Sequence, residues 1–263
     1  MFHKFYYHQN QIIFDQNLSK IKKSTICMAG KDREVLVSGK TSFKVEVPYT
    51  LIETGEKGEK PLIIYLHGFG ENIELFKKRC DTLLNLKAYH LFIQGPYPIY
   101  DRSRKKNVSD WGRAWYLYDG NHGQFIKSLE LASEFVQEII DKLLPVIQVN
   151  RIGVMGYSMG GYLAGYFSFT RWKHVNDLAV AGARIKTEVL NNNWENIQHM
   201  NIAAFHGKND DQVKAEPQAK EIKTLIEKGV KAELNLLNEN HSFSEVYLNQ
   251  IFKWFQSIGY AEV

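Results

Sequence analysis

Cysteine is scarce in this 263-residue sequence, which has only Cys27 and Cys80. Two thiols cannot build the disulfide framework of a small secreted domain, and nothing in the spacing of the Cys and His residues suggests metal ligation. Their scarcity fits a reducing, cytoplasmic setting. Long apolar runs are also missing. None approaches the roughly 20 residues needed to cross a bilayer, so no membrane-spanning helix is expected. Met1 to Asn10 mixes His, Lys, Gln and Asn with aromatics, without the basic-then-apolar order of a secretion signal. Excess charge of one sign is absent too: the formal net charge is +4, too mild to announce a nucleic-acid partner. The dense basic run Arg102-Ser103-Arg104-Lys105-Lys106 has no aromatic platform or second basic cluster beside it, and reads as a solvated loop. There is no internal repeat and no low-complexity tract.

What is present is enough apolar residue, 44% of the chain, to fill a full core at this length. Glu34–Ser38 and Ser42–Val47 alternate like strands around a Gly39-Lys40 turn, and are expected as antiparallel edge strands. The polar stretch Thr54 to Pro61 is a turn. Beyond it the pattern becomes strand–helix alternation. Leu62–Leu66 is a continuous apolar run, as for a strand buried on both faces. Further strands are expected at 90–93, 151–155, 178–181, 201–205 and 231–237. Ser128–Leu144 places Leu129, Ala132, Phe135, Val136, Ile139, Ile140 and Leu143 at helical spacing, and 217–228 and 246–258 repeat the pattern. Units of this kind imply an α/β fold with a mostly parallel central sheet and helices on both faces. Residues 41–263 are expected to form one catalytic domain, with 1–40 an N-terminal extension and edge strand. Function in such a sheet gathers at the carboxyl ends of the strands.

The chemistry-bearing residues fall at those ends. Gly156-Tyr157-Ser158-Met159-Gly160 lies between an apolar strand and an apolar helix. There a serine is lifted into reach on a tight turn, and the flanking glycines avoid collision with strand and helix. His67-Gly68-Phe69-Gly70 follows the first core strand, where backbone amides can stabilise a developing oxyanion. The expected donors are the amides of Phe69 and Met159. A serine nucleophile needs a base, and the base needs an acid to hold its tautomer. Asp210 or Asp211, after the strand ending at Phe205, fits the acid. His241, on the polar loop after the last strand, fits the base. The chain order Ser…Asp…His with each member at a strand end argues against coincidence.

With these residues the sequence resembles the α/β-hydrolase superfamily from about Thr41 to the C-terminus. It is most similar to the phospholipase/carboxylesterase and acyl-protein thioesterase branch. The resemblance rests on His67-Gly68-Phe69-Gly70, on Gly156-Tyr157-Ser158-Met159-Gly160-Gly161, on His206-Gly207-Lys208-Asn209-Asp210-Asp211-Gln212-Val213 and on Asn240-His241-Ser242-Phe243. It implies a single-domain α/β-hydrolase fold, and its H-G-x-x-D-x-x-V pattern selects Asp210 as the acid and leaves His206 a structural part. Met159 stands where acyl-protein thioesterases usually carry glutamine, a change that spares its backbone amide. Gln94–Pro98 and Trp111–Tyr116 look like the branch's loop bordering the acyl cleft, here lengthened by the basic run.

Trp115, Trp111 and Tyr157 are the candidates for substrate binding, with Tyr116 and Tyr118 beside them. Asn191–Glu195 is a candidate small cap. The leading expectation is a serine hydrolase acting on a small-molecule carboxylic ester or thioester through an acyl-enzyme, with no cofactor and no metal. A peptidase of the same fold comes second, and a non-catalytic binding module on this scaffold third.

Overall fold

The computed structural model describes residues 38, 39, 41 and 45–263. The expected strands at 34–38 and 42–47 therefore lie largely outside the described residues, as does Cys27. From Val45 to Val263 the chain forms one compact unit.

Seven strands make the main sheet: β1 (Tyr49–Glu53), β2 (Lys60–Leu66), β3 (Tyr89–Ile93), β6 (Val149–Tyr157), β7 (Asp177–Ala181), β8 (Asn201–Gly207) and β9 (Lys231–Leu237). Their spatial order is β1-β3-β2-β6-β7-β8-β9. β1 runs antiparallel against β3, and every other pairing is parallel. A short ribbon, β4 (Tyr97–Pro98) with β5 (Arg113–Ala114), stands apart from it. Among the described residues five α-helices flank the sheet: α1 (Ile73–Arg79), α2 (His122–Leu143), α3 (Met159–Thr170), α4 (Ala215–Glu227) and α5 (Glu245–Ser257).

Period-two alternation divides the core between the two faces of the sheet. On β2, Leu62, Ile64 and Leu66 join the layer beneath α2, α3 and α4, with Leu129, Val136, Leu163, Phe167, Ile222 and Leu225. Ile63 and Tyr65 point the other way, into a layer closed by Phe76 of α1 and Tyr247, Leu248, Ile251 and Phe255 of α5. A strand buried on both faces has no polar positions, which is why 62–66 reads as an unbroken apolar run.

The starts of α1 and α2 follow ordinary capping. Asn72 accepts from the Leu75 amide (2.9 Å) and Asn121 from the Gln124 amide (3.0 Å), which offsets donors with no intrahelical partner. The amphipathic stripe of α2 begins six residues before the expected start at 128, because Asn121 and not the apolar periodicity sets the first turn. α1 carries few apolar residues in a short span, so periodicity does not reveal it.

Asp177, with no exposed side-chain surface, pairs with Arg151 and also accepts from Tyr260 Oη (2.9 Å) and Asn201 Nδ2 (2.8 Å). A second buried polar node is His90 on β3. Its Nε2 lies 3.0 Å from Leu86 O, an acceptor, so Nε2 carries the proton; Nδ1 then accepts from Tyr65 Oη at 2.8 Å. Burial lowers its pKa to about 4. The unfolded chain takes up this proton near the ordinary histidine value, about 6.5. Stability from neutral His90 is therefore complete above that value and is lost as pH falls toward 4. H90Q is expected to show a shallower fall of the urea midpoint than wild type between about pH 7 and 4. Parallel curves for the two proteins would show that His90 does not drive acid loss.

Candidate active site

β6 ends at Tyr157 and α3 starts at Met159, so one residue, Ser158, makes the whole connection. Its backbone is at φ 51°, ψ −116°, a region that non-glycine residues rarely enter and that costs on the order of 1–3 kcal/mol. The turn is crowded on both sides. A Cβ at Gly156 would collide with the Gly160 carbonyl, and one at Gly160 with the Leu66 carbonyl. Only glycine fits either place. The Ser158 amide donates to Ala181 O (2.8 Å), tying the turn to the end of β7. Although Ser158 sits at the N-cap of α3, its side chain makes no capping hydrogen bond. Its Oγ lies instead 2.9 Å from His241 Nε2.

His241 Nδ1 is 2.7 Å from Asp210 Oδ2. The Asp210 side chain has no exposed surface, and its other oxygen accepts from the amides of Gln212 (3.0 Å) and Val213 (2.8 Å). Asp211 is exposed and does not touch His241. The loops that carry Asp210 and His241 are bound to each other by Lys208 N to Leu237 O (2.8 Å) and Asn209 N to Glu239 O (3.0 Å). Gly207 lies against the Glu239 and Asn240 carbonyls, where a Cβ would overlap both. His206 donates from Nε2 to Val213 O (2.7 Å), holding the turn that aims Asp210.

The loop after β2 is fastened as firmly. Glu71 Oε2 accepts from the Gly68 amide (2.7 Å), Gly70 N donates to Arg113 O (3.0 Å) and Arg113 N to Glu71 O (2.8 Å). His67 is fully buried. Nδ1 faces Gly68 O (2.8 Å), while Nε2 accepts from the Gly95 amide (2.9 Å). Burial takes its pKa down to about 4, so near neutrality it organises backbone as an uncharged ring. Among the described residues, the amides of Phe69 and Met159 donate to no protein acceptor. Because β2 and β6 are neighbours in the sheet, these two amides lie on either side of the same strand boundary.

A cleft of about 490 Å³ opens in front of Ser158. Phe69, Tyr97, Ile99, Leu117, Tyr118 and Tyr162 contribute to its wall, as does Met159. Three of the substrate-binding candidates are not in it. Trp115 is completely buried, its Nε1 donating to His67 O (2.8 Å), so it supports the amide loop from behind and touches no cleft. Trp111 packs edge-on against Tyr100 and donates to Lys106 O (3.2 Å), closing the lengthened loop. Tyr157 is buried: its ring stacks on Phe243 (4.8 Å) and its hydroxyl donates to His241 O (3.0 Å). Tyr157 is the last residue of β6, and its ring lies in the α5-side layer of the core, away from the cleft. Of the further aromatic candidates, Tyr116 and Tyr118 do line it. Asn191–Glu195 is not part of the wall. Tyr162 was missed, although its place one helical turn after Ser158 puts it on the same helix face. Tyr97, Pro98 and Ile99 were legible only as loop. The basic run wraps around Asp101, whose carboxylate accepts from the amides of Ser103, Lys105 and Lys106 (3.1 Å each).

A mostly parallel sheet with a strained serine between strand and helix, an amide loop after β2, and Asp and His at the ends of β8 and β9 defines an α/β-hydrolase fold. Residues 47–258 match the family described as Phospholipase/Carboxylesterase, and the chain belongs to that family of hydrolases. Similar solved structures include Zea mays acyl-protein thioesterase 2, 16% identical over 80% of this chain and 98% of that one (TM-score 0.63). Esterase PE8 is 15% identical over 81% and 100% (TM-score 0.65). Arabidopsis thaliana SOBER1 is 21% identical over 76% and 99% (TM-score 0.61). At these identities the likeness speaks for the fold. No curated protein matches the sequence. Among the described residues no helix is long and apolar enough to cross a membrane, and no group of His, Cys, Asp and Glu is arranged to hold a metal ion.

Tyr157 has a testable part in this geometry. Y157F removes the hydrogen bond to the His241 carbonyl, worth about 0.5–1.5 kcal/mol, while keeping the ring stack. The expected result in ester hydrolysis is a kcat lowered roughly three- to tenfold with little change in KM. An unchanged kcat would mean that packing alone seats the His241 loop.

Proposed function

We propose that this hydrolase cleaves carboxylic esters or thioesters by a Ser-His-Asp mechanism through an acyl-enzyme. The observation that carries the reading is the unbroken relay Ser158 Oγ–His241 Nε2–His241 Nδ1–Asp210 Oδ2, with spacings of 2.9 and 2.7 Å. His241 takes the Ser158 proton as Oγ attacks the substrate carbonyl, and Asp210 holds the tautomer that leaves Nε2 able to accept it. The tetrahedral oxygen draws on the amides of Phe69 and Met159, each donor worth about 10²–10³ in rate. The leaving group departs with the proton from His241. Water, deprotonated by the same imidazole, then releases the acid. No metal or cofactor takes part in these steps.

The apolar cleft wall suits an acyl chain or aromatic group more than a peptide, whose backbone would meet few polar partners there. Family membership supports an ester or thioester substrate. We assign residues 41–263 to the catalytic domain.

A fluorophosphonate probe is expected to label wild type and not S158A. D210N should lower kcat by about 10⁴-fold through loss of tautomer control, while D211N should stay within a few fold. Failure of the probe on wild type, with S158A folding normally, would sink the serine-hydrolase reading. A severe D211N with a mild D210N would reassign the acid. A p-nitrophenyl ester series from acetate to palmitate reads the acyl length that the cleft accepts; the expected optimum is a short to medium chain, since no residue beyond Tyr162 contributes to the cleft wall and a long chain would leave much of its apolar length in water. An optimum at palmitate would require a longer channel than the one described.

A further inference from the structure

At Tyr162 the cleft meets a second cavity of about 310 Å³, and Tyr116, Tyr118 and Tyr162 line both. Beyond these rings its wall is Phe125, Arg184 and Lys186, with Gly120 and His122 at the start of α2. No carboxylate lines it. Glu188 and Glu221 hold Arg184 (2.6 and 2.7 Å), and Glu188 also holds Lys186 (3.1 Å), but neither glutamate is part of the wall.

Two side chains of this annex keep donor capacity to spare. Lys186 is only 6% exposed, yet among the described residues its three-donor ammonium has a single acceptor, Glu188, besides lying 5.1 Å from the centre of the Phe125 ring. Tyr116 is likewise 6% exposed, and its hydroxyl makes no hydrogen bond to any described residue. Burial and the neighbouring Tyr162 and Tyr118 push its pKa up, so it stays a donor. Both line the cavity and can donate to an acceptor that enters it. At the mouth of α2, Asn121 satisfies the Gln124 amide, while the His122 and Gly123 amides donate to no described residue. These add to the positive character of the wall.

We propose that this annex receives an anionic oxygen group, carboxylate or phosphate, carried by the substrate, so that the enzyme prefers esters with a negative charge a short distance from the scissile carbonyl. The proposal deepens the esterase reading and rests on it. Tyr162 lies four residues after Ser158 on one helix, a rise of about 6 Å, so the charged group sits several bonds from the carbonyl. Lys186 and Arg184 attract it, and the Tyr116 hydroxyl gives it a directed hydrogen bond at the junction of the two cavities.

The test compares matched pairs of esters. On the acyl side, p-nitrophenyl hemisuccinate, hemiglutarate and hemiadipate are set against neutral acyl chains of equal length. On the alcohol side, butyryl glycolate and butyryl glycerol 3-phosphate are set against butyryl glycerol. At least one anionic member is expected to have a kcat/KM about tenfold above its neutral partner, and whether the carboxylate or the phosphate member leads tells the two apart. K186M should bring that ratio close to one, and Y116F, which deletes a hydroxyl without a protein partner, should lower it several-fold. In S158A, calorimetry should show the same anionic ester binding more tightly than its neutral partner, a difference lost in S158A/K186M. Hydrolysis of neutral esters with no anionic preference in any pair, or a preference untouched by both variants, would overturn the annex while sparing the esterase reading. Absence of all turnover and of probe labelling would overturn the esterase reading, and binding to S158A would then still decide the annex.

Discussion

Everything at this site depends on the backbone of one residue. At φ 51° Ser158 makes the strand-to-helix turn alone, and its hydroxyl meets His241 instead of making the capping bond that a serine at a helix start ordinarily makes. The cost of the turn is offset by what surrounds it: the hydrogen bond to Ala181 O, and Gly156 and Gly160, which let strand, helix and β2 approach closely. Side chains at those glycines would push α3 away from β2. The Met159 amide would then move away from Phe69, and Oγ away from His241.

The parallel sheet does the rest of the assembly. Because β2, β6, β7, β8 and β9 lie side by side and point the same way, residues remote in sequence emerge along one edge. The 83 positions between Ser158 and His241 collapse to 2.9 Å. Each loop at that edge is then fixed by its neighbour: the amide loop by Arg113, the acid loop by Leu237 and Glu239. Two aromatic residues serve this fixing. Trp115 supports the His67 carbonyl and Tyr157 the His241 carbonyl, so these rings stand behind the site, while Phe69, Tyr97, Tyr118 and Tyr162 line the cleft in front.

The annex extends the same logic to recognition. An apolar cleft by itself discriminates weakly among acyl groups, because each methylene contributes little. Polar donors held out of water discriminate strongly, since a substrate lacking the matching acceptor leaves them unpaired. Tyr116 and Lys186 bring spare donor capacity to the annex, one at the boundary of the cleft and one beyond it.

The strand–helix order was legible in the sequence, and Ser158, Asp210 and His241, which the structure brings into contact, stood out there as candidates because local chemistry marks them. Continuous apolar runs mark buried strands, and a glycine-flanked serine or a polar loop after a strand marks a functional end. The choice between Asp210 and Asp211 was not legible from the segment itself, since both carboxylates sit in the same polar turn; it needed the family pattern, and in the structure one faces His241 while the other faces solvent. The direction of the aromatic rings was also a tertiary matter. Trp115 and Tyr118 look equally suited to a pocket in one dimension, yet one is wholly buried and the other exposed at the cleft. The pairing of Tyr162 with Arg184 and Lys186 joins segments that share no local signal. By itself the sequence determined what chemistry is carried at each strand end, because that is a property of residue type and spacing. Only the tertiary structure decided which side chains face the cleft, because facing is set by how helices and loops pack across the sheet edge.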